Sequence, residues 1–344
     1  MLPTTKDLAK AASVSLATVD RVLNGRAGVR KETVDAVNTA IKKIGFERNQ
    51  IAATLARKRG YRFGFVLPNK KDEFIKEILN SIHQVNSDLR VQMVQIIVIS
   101  VDDHNPHKLA EALSKISLKN FDGIAIMAPE SPQIRDAIKR LQERGINIIP
   151  FISNQEGIEE SDFVGINNHA AGSTAGRLMC RFLCRKTGSI AVINDTLQAK
   201  YSIERRLGFD EIVSKFSPNL TILPSIETFG DNERTHLILK TMLSANINLQ
   251  GIYIISSEAR SSLEAIEQYS LDRELIVLAH ERTQSTISAL KSGNLAAIIT
   301  QDTGLLVRTA LHVLRGKYEN RSAAISQEKV RIEILIAENL HLSQ

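Results

Sequence analysis

The sequence predicts an all-α helix-turn-helix head followed by an α/β body of two doubly wound lobes with parallel sheets. Residues 4–44 contain three short helical patterns separated by tight turns, which is the layout of a helix-turn-helix unit. From residue 62 onward, short apolar runs alternate with amphipathic stretches, which is typical of βαβ units. The length of 344 residues also favours several domains over one.

The helices of the head have clear beginnings and ends. Thr4 and Asp7 form a capping-box pattern at the start of the first helix, and Ser15 is placed to cap the second helix. The third helix is expected over Lys31–Ile44, and Gly45 is expected to end it. Three caps in this order predict a compact unit of short helices.

The head also carries the excess positive charge of the chain. Its first 60 residues hold 12 Lys and Arg against 5 Asp and Glu, whereas the other 284 residues hold 32 against 33. A basic segment on a nearly neutral body is typical of proteins that contact nucleic-acid phosphates. On the outward face of the second helix, Arg21 is suited to a bidentate contact with guanine. Leu55 lies in a short helix-prone segment and could wedge between stacked bases.

The segments TKDLAKAASVSLATVDRVLNG and RNQIAATLARKR flank the third helix and resemble the lactose-repressor (LacI/GalR) family of bacterial transcription regulators. The resemblance covers residues 4–59. It implies base reading by Leu16, Ala17 and Arg21, phosphate contacts from Ser15, Thr18, Asn24 and Thr33, and minor-groove contacts from Ala52 and Leu55 at the centre of a palindromic operator. Two positions depart from the family pattern: Asp20 would place a carboxylate near phosphates, and Arg30 leaves the third helix without a side-chain cap.

The body is expected to consist of parallel strands with helices on both sheet faces. Ligands of such sheets bind beyond the carboxyl ends of the strands. Strands are expected over residues 63–67, 91–99, 123–128, 147–152, 163–166, 190–193, 251–255, 275–279 and 296–300, with helices over 73–86, 106–118, 133–144, 170–186, 258–269 and 302–315.

The same body resembles the ribose-type periplasmic sugar-binding fold (periplasmic binding protein type I) that forms the effector domain of these regulators. This resemblance implies a cleft in which Phe74 stacks on a sugar and Arg205 clamps hydroxyls or a carboxylate. The other implied effector contacts are Asn69, Ser153, Asn167, Ser256, Glu281 and Gln301. Ser153-Asn154 and Ser256-Ser257 stand where sugar-gripping carboxylates are common, so a polyol, a cyclitol and an acidic sugar all stay open.

Four segments are expected along the chain. Residues 1–46 form the head, 47–60 the hinge helix and linker, 61–165 plus 295–324 the N-terminal lobe, and 166–294 plus 325–344 the C-terminal lobe. The tail AENLHLSQ is too short for a tetramerisation helix, so a homodimer is expected.

Several classes of protein are disfavoured by the sequence. Dinucleotide and phosphate-loop fingerprints are absent from it, and Ser288 and Lys291 match a catalytic SxxK pattern without its companion motifs. Cys180 and Cys184 stand four residues apart, which favours a buried helix face over a metal or redox pair. The polar N-terminus and the lack of a long apolar run favour a cytoplasmic protein. We therefore expect neither an enzyme nor a cofactor, a metal site or a membrane contact.

The expected function is sequence-specific transcription regulation. The chain would repress a catabolic or transport operon by binding a palindromic operator as a homodimer, under the control of a small sugar, polyol or sugar derivative. An alternative keeps the DNA binding but replaces the sugar with a protein partner on the body.

Overall fold

The computed structural model describes residues 3–23, 28–46, 60–70, 72–89, 93–102, 105–117, 119–157, 162–196, 199–270, 274–319 and 330–342. Its helices are α1 (Thr5–Ala11), α2 (Leu16–Leu23), α3 (Lys31–Ile44), α4 (Glu73–Asp88), α5 (Pro106–Ser114), α6 (Pro132–Glu143), α7 (Asn168–Phe182), α8 (Lys200–Phe216), α9 (Asn232–Ala245), α10 (Arg260–Tyr269), α11 (Gln284–Ser292) and α12 (Thr303–Tyr318), with a 3-10 helix at Ala337–Leu342. Its strands are β1 (Tyr61–Pro68), β2 (Val94–Val101), β3 (Gly123–Ile126), β4 (Ile148–Pro150), β5 (Gly188–Asn194), β6 (Leu220–Ile222), β7 (Ile226–Glu227), β8 (Leu249–Ile254), β9 (Ile276–His280), β10 (Ala297–Thr300) and β11 (Glu333–Leu335).

The head is a bundle of three helices around a small apolar core. Leu8 of α1, Val19 of α2 and Val37 of α3 are fully buried against one another. The capping box of Thr4 and Asp7 is confirmed, since the two residues exchange side-chain and backbone hydrogen bonds. The remaining caps also follow the prediction: Ser15 Oγ accepts from the backbone N–H of Thr18 at 3.0 Å, Gly45 ends α3 with φ 60°, and Arg30 contributes no side-chain cap.

The N-terminal lobe is built on a four-stranded parallel sheet with the order β2-β1-β3-β4. Apolar residues of α4 and α12 cover one face of this sheet, and those of α5 and α6 cover the other. The C-terminal lobe has the order β11-β10-β9-β8-β5-β6, with β7 beside β5, and is parallel except for β11. Helices α7 and α8 pack on one of its faces, and α9, α10 and α11 on the other. The predicted fold class is confirmed.

The chain crosses between the lobes at positions that the core clusters define. Val164 belongs to the core of the N-terminal lobe and Ile166 to a core of the C-terminal lobe. The predicted return to the N-terminal lobe at residue 295 is wrong, because Ile298 pairs with Ala279 of β9 inside the C-terminal sheet. The crossing therefore follows β10, and α12 is the first element of the returning chain. The predicted boundary at 324 and 325 lies outside the described residues, as do residues 47–59 of the predicted hinge and linker at 47–60.

One end of the N-terminal lobe joins the start of β1 to the end of α12. The hydroxyl of Tyr61 donates to Glu319 Oε1, and the guanidinium carbon of Arg315 lies 4.8 Å from the centroid of the Tyr61 ring. Tyr318 packs edge-on against the same ring at 6.0 Å. The first strand of the body is thus held by the last turn of the returning helix.

Two glycines allow α7 and α8 to approach each other closely. A Cβ atom at Gly172 would lie 1.9 Å from the carbonyl oxygen of Arg205, and one at Gly208 would lie 2.1 Å from that of His169. Backbone atoms cannot rotate away as a side chain can, so the helices would have to separate. The two glycines therefore fix how near α8, and Arg205 on it, lies to the C-terminal sheet.

We predict that Gly172→Ala destabilises the body by about 1–3 kcal/mol or more, the range for overpacked cores. Gly304→Ala on α12 is the matched control, because its Cβ would meet only the flexible Arg308 side chain and the Asp302 carboxylate, at 3.2 Å. Thermal denaturation of the full-length chain measures both variants. Equal melting temperatures for the Gly172→Ala variant and the unmodified chain would show that the helices can separate at no cost.

Candidate functional site

The first candidate surface is the outer side of α2 in the head. Leu16 is 46% exposed although it is apolar, and Ala17 and Arg21 are exposed beside it. Val19 points the other way into the head core, so the three exposed side chains share the outer face of the helix. This is the arrangement that base reading by a recognition helix requires.

The predicted phosphate contacts lie at the beginnings of helices. Ser15 Oγ lies 2.8 Å from Thr18 Oγ1 in the first turn of α2, and Thr33 lies in the first turn of α3, where it is half-buried. Backbone N–H groups at helix starts attract anions. Asn24, Ala52 and Leu55 lie outside the described residues.

The second candidate site is a polar cluster at the carboxyl ends of the C-terminal strands. Arg205 of α8 is 3% exposed, and its guanidinium makes three hydrogen bonds. Nε donates to Asn168 Oδ1 at 2.9 Å, Nη1 donates to the carbonyl oxygen of Ile255 at 3.0 Å, and Nη2 donates to Glu281 Oε1 at 2.8 Å. Gln301 Nε2 reaches the same carboxylate at 3.3 Å and 3.4 Å. The structure thus brings together three of the predicted effector residues.

Asn168, which the sequence did not single out, is a member of this cluster. The predicted neighbour Asn167 is exposed and caps α7 by accepting from the backbone N–H of Ala170 at 2.9 Å. Asn168 is buried in the first turn and turns its amide oxygen toward Arg205. A pair of adjacent asparagines at a helix start suggests one cap and one inward side chain, and this signal was available in the sequence.

The remaining predicted effector residues lie at strand ends or in the core. Asn69 follows β1 and is exposed, while Ser153 follows β4 and is half-buried. Ser256 follows β8 and donates to the carbonyl oxygen of Glu258 at 3.1 Å. Phe74 is only 2% exposed and packs in the core of the N-terminal lobe. Its stacking on a ligand stays a prediction.

Tyr201 provides a half-buried aromatic ring beside the cluster. It lies in the first turn of α8, with the guanidinium carbon of Arg205 5.4 Å from the ring centroid. Burial, together with the nearby charge of Asp195, raises the pKa of Tyr201 to about 12. The sequence did not indicate Tyr201, because a tyrosine near a helix start has no distinguishing pattern.

Several buried polar atoms of the cluster have no hydrogen-bond partner among the described residues. They are both amide atoms of Asn194, Oε1 of Gln301 and Nδ1 of His280. Asn194 and His280 are fully buried, and His280 Nε2 lies 2.6 Å from the hydroxyl of Tyr253. Burial lowers the pKa of His280 well below its ordinary value, and Arg205 lowers it further, so the imidazole is neutral. Unpartnered polar atoms in a protein interior are costly unless another molecule satisfies them.

Carboxylates from both lobes face each other near this cluster. Burial raises the pKa of Asp72 to about 6, and the charges of Glu258 and Asp195 act in the same direction. Burial also raises the pKa of Asp195, whose carboxylate accepts from the hydroxyl of Thr228 at 3.1 Å. Lys70 opposes both shifts. The region between the lobes therefore has an excess of negative charge at neutral pH.

The described part of the chain contains neither a cluster of metal-ligand side chains nor an apolar helix of membrane-spanning length. No three His, Cys, Asp or Glu side chains within the described ranges are grouped to hold a metal ion. None of the helices described is long and apolar enough to cross a membrane. Both cysteines are free, and Cys184 is exposed because α7 ends at Phe182, before the helix can carry it to the buried face that holds Cys180.

We predict that Asp72 makes the stability of the chain fall as the pH rises from about 4 to about 6. The folded state holds the Asp72 proton up to about pH 6, whereas the unfolded state releases it near 3.8. The stability that comes from the protonated carboxyl is therefore present below that window and lost above it, by no more than about 3 kcal/mol. Asp72→Asn keeps an oxygen for the backbone N–H of Ile75, which Asp72 accepts at 2.6 Å, and removes the titration.

The measurement is the melting temperature between pH 4 and 7. Asp72→Asn should gain stability relative to the unmodified chain as the pH rises. Asp231→Asn makes the same change at the exposed cap of α9, where Asp231 Oδ1 accepts from the backbone N–H of Arg234 at 2.9 Å, and serves as control. Parallel pH profiles for Asp72→Asn and the unmodified chain would contradict the raised pKa of Asp72.

Sequence comparisons divide the chain in the same way as the structure. Residues 4–49 match the bacterial regulatory proteins of the lacI family, and residues 63–320 match a periplasmic binding protein domain. Catabolite control protein A of Staphylococcus xylosus is 32% identical over 141 residues, which cover 41% of this chain and 42% of that protein. Its counterpart in Staphylococcus aureus (strain MRSA252) is 25% identical over 223 residues, or 64% of each chain. The matches span less than two thirds of these relatives.

Solved structures with the same fold cover nearly all of the body. A solute-binding protein of an ABC transporter from Burkholderia graminis, in complex with D-arabinose, has a TM-score of 0.73 at 21% identity and covers 82% of this chain and 96% of that chain. A putative LacI transcriptional regulator from Bacteroides fragilis has a TM-score of 0.72 at 16% identity, covering 83% and 100%. This protein belongs to the periplasmic binding protein domain family, which residues 63–320 match, and its head is a helix-turn-helix domain of the bacterial regulatory lacI family.

Proposed function

We propose that the chain represses transcription by binding a palindromic operator as a homodimer, and that a small hydroxylated effector in the body controls this binding. The DNA-binding part of this proposal rests on the exposed face of α2. Leu16 lies on that face although it is apolar, and exposed apolar side chains of this kind mark a binding surface. Binding to chromosomal DNA implies a cytoplasmic protein.

Each proposed DNA contact has a separate role. Leu16, Ala17 and Arg21 read base edges in the major groove, where an arginine can form two hydrogen bonds with guanine. Ser15, Thr18, Asn24 and Thr33 position the phosphates, and Ala52 and Leu55 enter the minor groove at the operator centre. Asp20 is exposed on α2 next to Arg21, and its carboxylate favours a cytosine amine over a phosphate as its partner.

The proposal of a small effector rests on the side-chain amide of Asn194, which has no hydrogen-bond partner among the described residues. This side chain has one buried donor and one buried acceptor, so a matching ligand must both accept and donate hydrogen bonds. A hydroxyl group does both. We propose Asn69, Ser153, Asn167, Ser256, Glu281 and Gln301 and the clamp Arg205 as further contacts of the same effector; Asn69 and Ser153 follow strands of the N-terminal lobe, and the others belong to the C-terminal lobe. We infer that Tyr201 offers the aromatic face, because Phe74 lies in the core of the N-terminal lobe.

The charges near the cleft favour a neutral effector over an acidic one. Arg205 is already paired with Glu281, His280 is neutral, and Asp72 and Asp195 add negative charge. A ligand carboxylate would therefore meet repulsion. D-arabinose and D-allose, which are neutral sugars, are bound by proteins that share the fold of the body.

A protein partner remains the second candidate for control of the body. It is favoured by Ser153-Asn154 and Ser256-Ser257, which replace carboxylates common in sugar-binding relatives. Under this reading the cleft would bind no sugar.

We predict that Arg21→Ala weakens binding to an operator by about 1–3 kcal/mol per half-site, or about 5- to 150-fold, because one bidentate base contact is lost. A palindromic duplex selected from a random library serves as the operator, and fluorescence anisotropy at 150 mM salt measures the affinity. Lys10→Ala removes the same charge from the exposed side of α1 and should have a small effect. If the unmodified chain binds the selected duplex no better than random DNA, the repressor function is wrong.

We predict that a neutral sugar, polyol or cyclitol raises the melting temperature of the full-length chain, and that Asn194→Ala abolishes most of the shift. A ligand at 100 times its dissociation constant adds about 2.7 kcal/mol of stability. Asn219→Ala is the control, since Asn219 is an exposed asparagine of the same lobe. A panel without a single shift on folded protein would favour the protein partner, which a pull-down would then test.

A further inference from the structure

The two lobes contact each other through carboxylates placed at helix starts. Glu73 is the first residue of α4 in the N-terminal lobe, and its Oε2 accepts from the backbone N–H of Ser285 at 2.9 Å. Ser285 lies in the first turn of α11 in the C-terminal lobe. Burial would raise the pKa of Glu73, but the hydrogen bonds from Ser285 and Thr283 outweigh it and hold that pKa below its ordinary value.

A second carboxylate makes the reverse contact. Glu258 follows β8 in the C-terminal lobe, and its Oε2 accepts from the backbone N–H of Glu73 at 3.2 Å. Its Oε1 accepts from the backbone N–H of Arg260, the first residue of α10, at 3.0 Å. One carboxylate therefore bridges helix starts that belong to opposite lobes. Ser256 donates to the Glu258 carbonyl oxygen and fixes this loop.

These contacts are not needed to cap α4 or α11. Asp72 already caps α4 through the backbone N–H of Ile75, and Thr283 caps α11 through that of Thr286. The carboxylates of Glu73 and Glu258 instead join residues that are 212 and 185 positions apart in the chain. Both interactions would break if the lobes separated, because their partners lie on different lobes.

The geometry points to an interlobe latch, formed by Glu73 and Glu258, that closes the body before any effector binds. Each carboxylate neutralises the partial positive charge at the start of a helix in the other lobe. The effector then acts on an equilibrium between open and closed lobes that already favours closure. This inference rests on the proposed effector cleft and specifies how closure is regulated.

The latch also sets how tightly an effector can bind. An effector that binds only closed lobes has an apparent dissociation constant equal to the intrinsic one divided by the closed fraction. The nearby carboxylates Asp72 and Asp195 repel each other and Glu258. The latch contacts favour the closed lobes and this repulsion favours the open ones. The loss of one latch contact therefore shifts the equilibrium between closed and open lobes toward the open form.

The test measures the interlobe distance in the ligand-free, full-length chain. One spin label is placed on the native Cys184 of the C-terminal lobe and one on Lys139→Cys of α6 in the N-terminal lobe, both at exposed positions. Double electron–electron resonance should show mainly the short distance. Glu73→Ala should lower the ratio of closed to open molecules by a factor of about 2 to 30.

Two further variants make the result decisive. Glu77→Ala removes a carboxylate one turn along α4 and should leave the distances unchanged. Glu258→Ala should act like Glu73→Ala, and a circular-dichroism spectrum of Glu73→Ala equal to that of the unmodified chain would show that α4 still folds. The latch is refuted if Glu73→Ala and the unmodified chain give the same distance distribution, whether short or long. Because no ligand or DNA is used, that result would leave the proposed repressor function standing.

Discussion

The buried ion pair of Arg205 and Glu281 is the interaction on which the C-terminal lobe depends. Arg205 connects α8 to the first turn of α7 through Asn168, to the end of β8 through Ile255, and to the end of β9 through Glu281. A buried charge without partners is very costly, so each of these contacts is required once the arginine lies inside. Removing the Glu281 side chain alone would leave the buried guanidinium of Arg205 without its counter-charge. The resulting destabilisation would affect α7, β8 and β9, which Arg205 connects to α8.

This interaction requires α7 and α8 to lie close together. The glycines at positions 172 and 208 bring α7 and α8 close enough for Asn168 to reach Arg205. Polar residues that would normally face solvent are thereby enclosed, and some of their atoms, such as those of Asn194, have no partner in the described part of the protein. Stability and ligand binding are therefore linked in our proposal, because the same enclosed polar groups that destabilise the lobe would hold the effector.

The sequence predicted the head and the general architecture well, and missed features that depend on tertiary contacts. Caps at Thr4, Ser15 and Gly45 are local, so residues a few positions apart were sufficient to predict them. Helix α8 escaped prediction because its buried side mixes Phe209 and Val213 with Ser202, Arg205 and Gly208, which weakens the apolar period. The strands β6, β7 and β11 are only two or three residues long, which is too short for a pattern. The predicted lobe boundary at residue 295 was wrong because an apolar run in the sequence does not indicate which of the two sheets the strand joins.

The continuity of α12 gives the body a mechanical property. The helix begins two residues after Gln301, which binds the carboxylate of Glu281, and its last turn holds Tyr61 through Arg315 and Tyr318. Sixteen residues at 1.5 Å per residue make a rod about 24 Å long. A tilt of this rod at the polar cluster must displace its far end, where the chain from the head enters the body. Substitutions in the middle of α12, which touch neither end, can therefore change how the two ends move together.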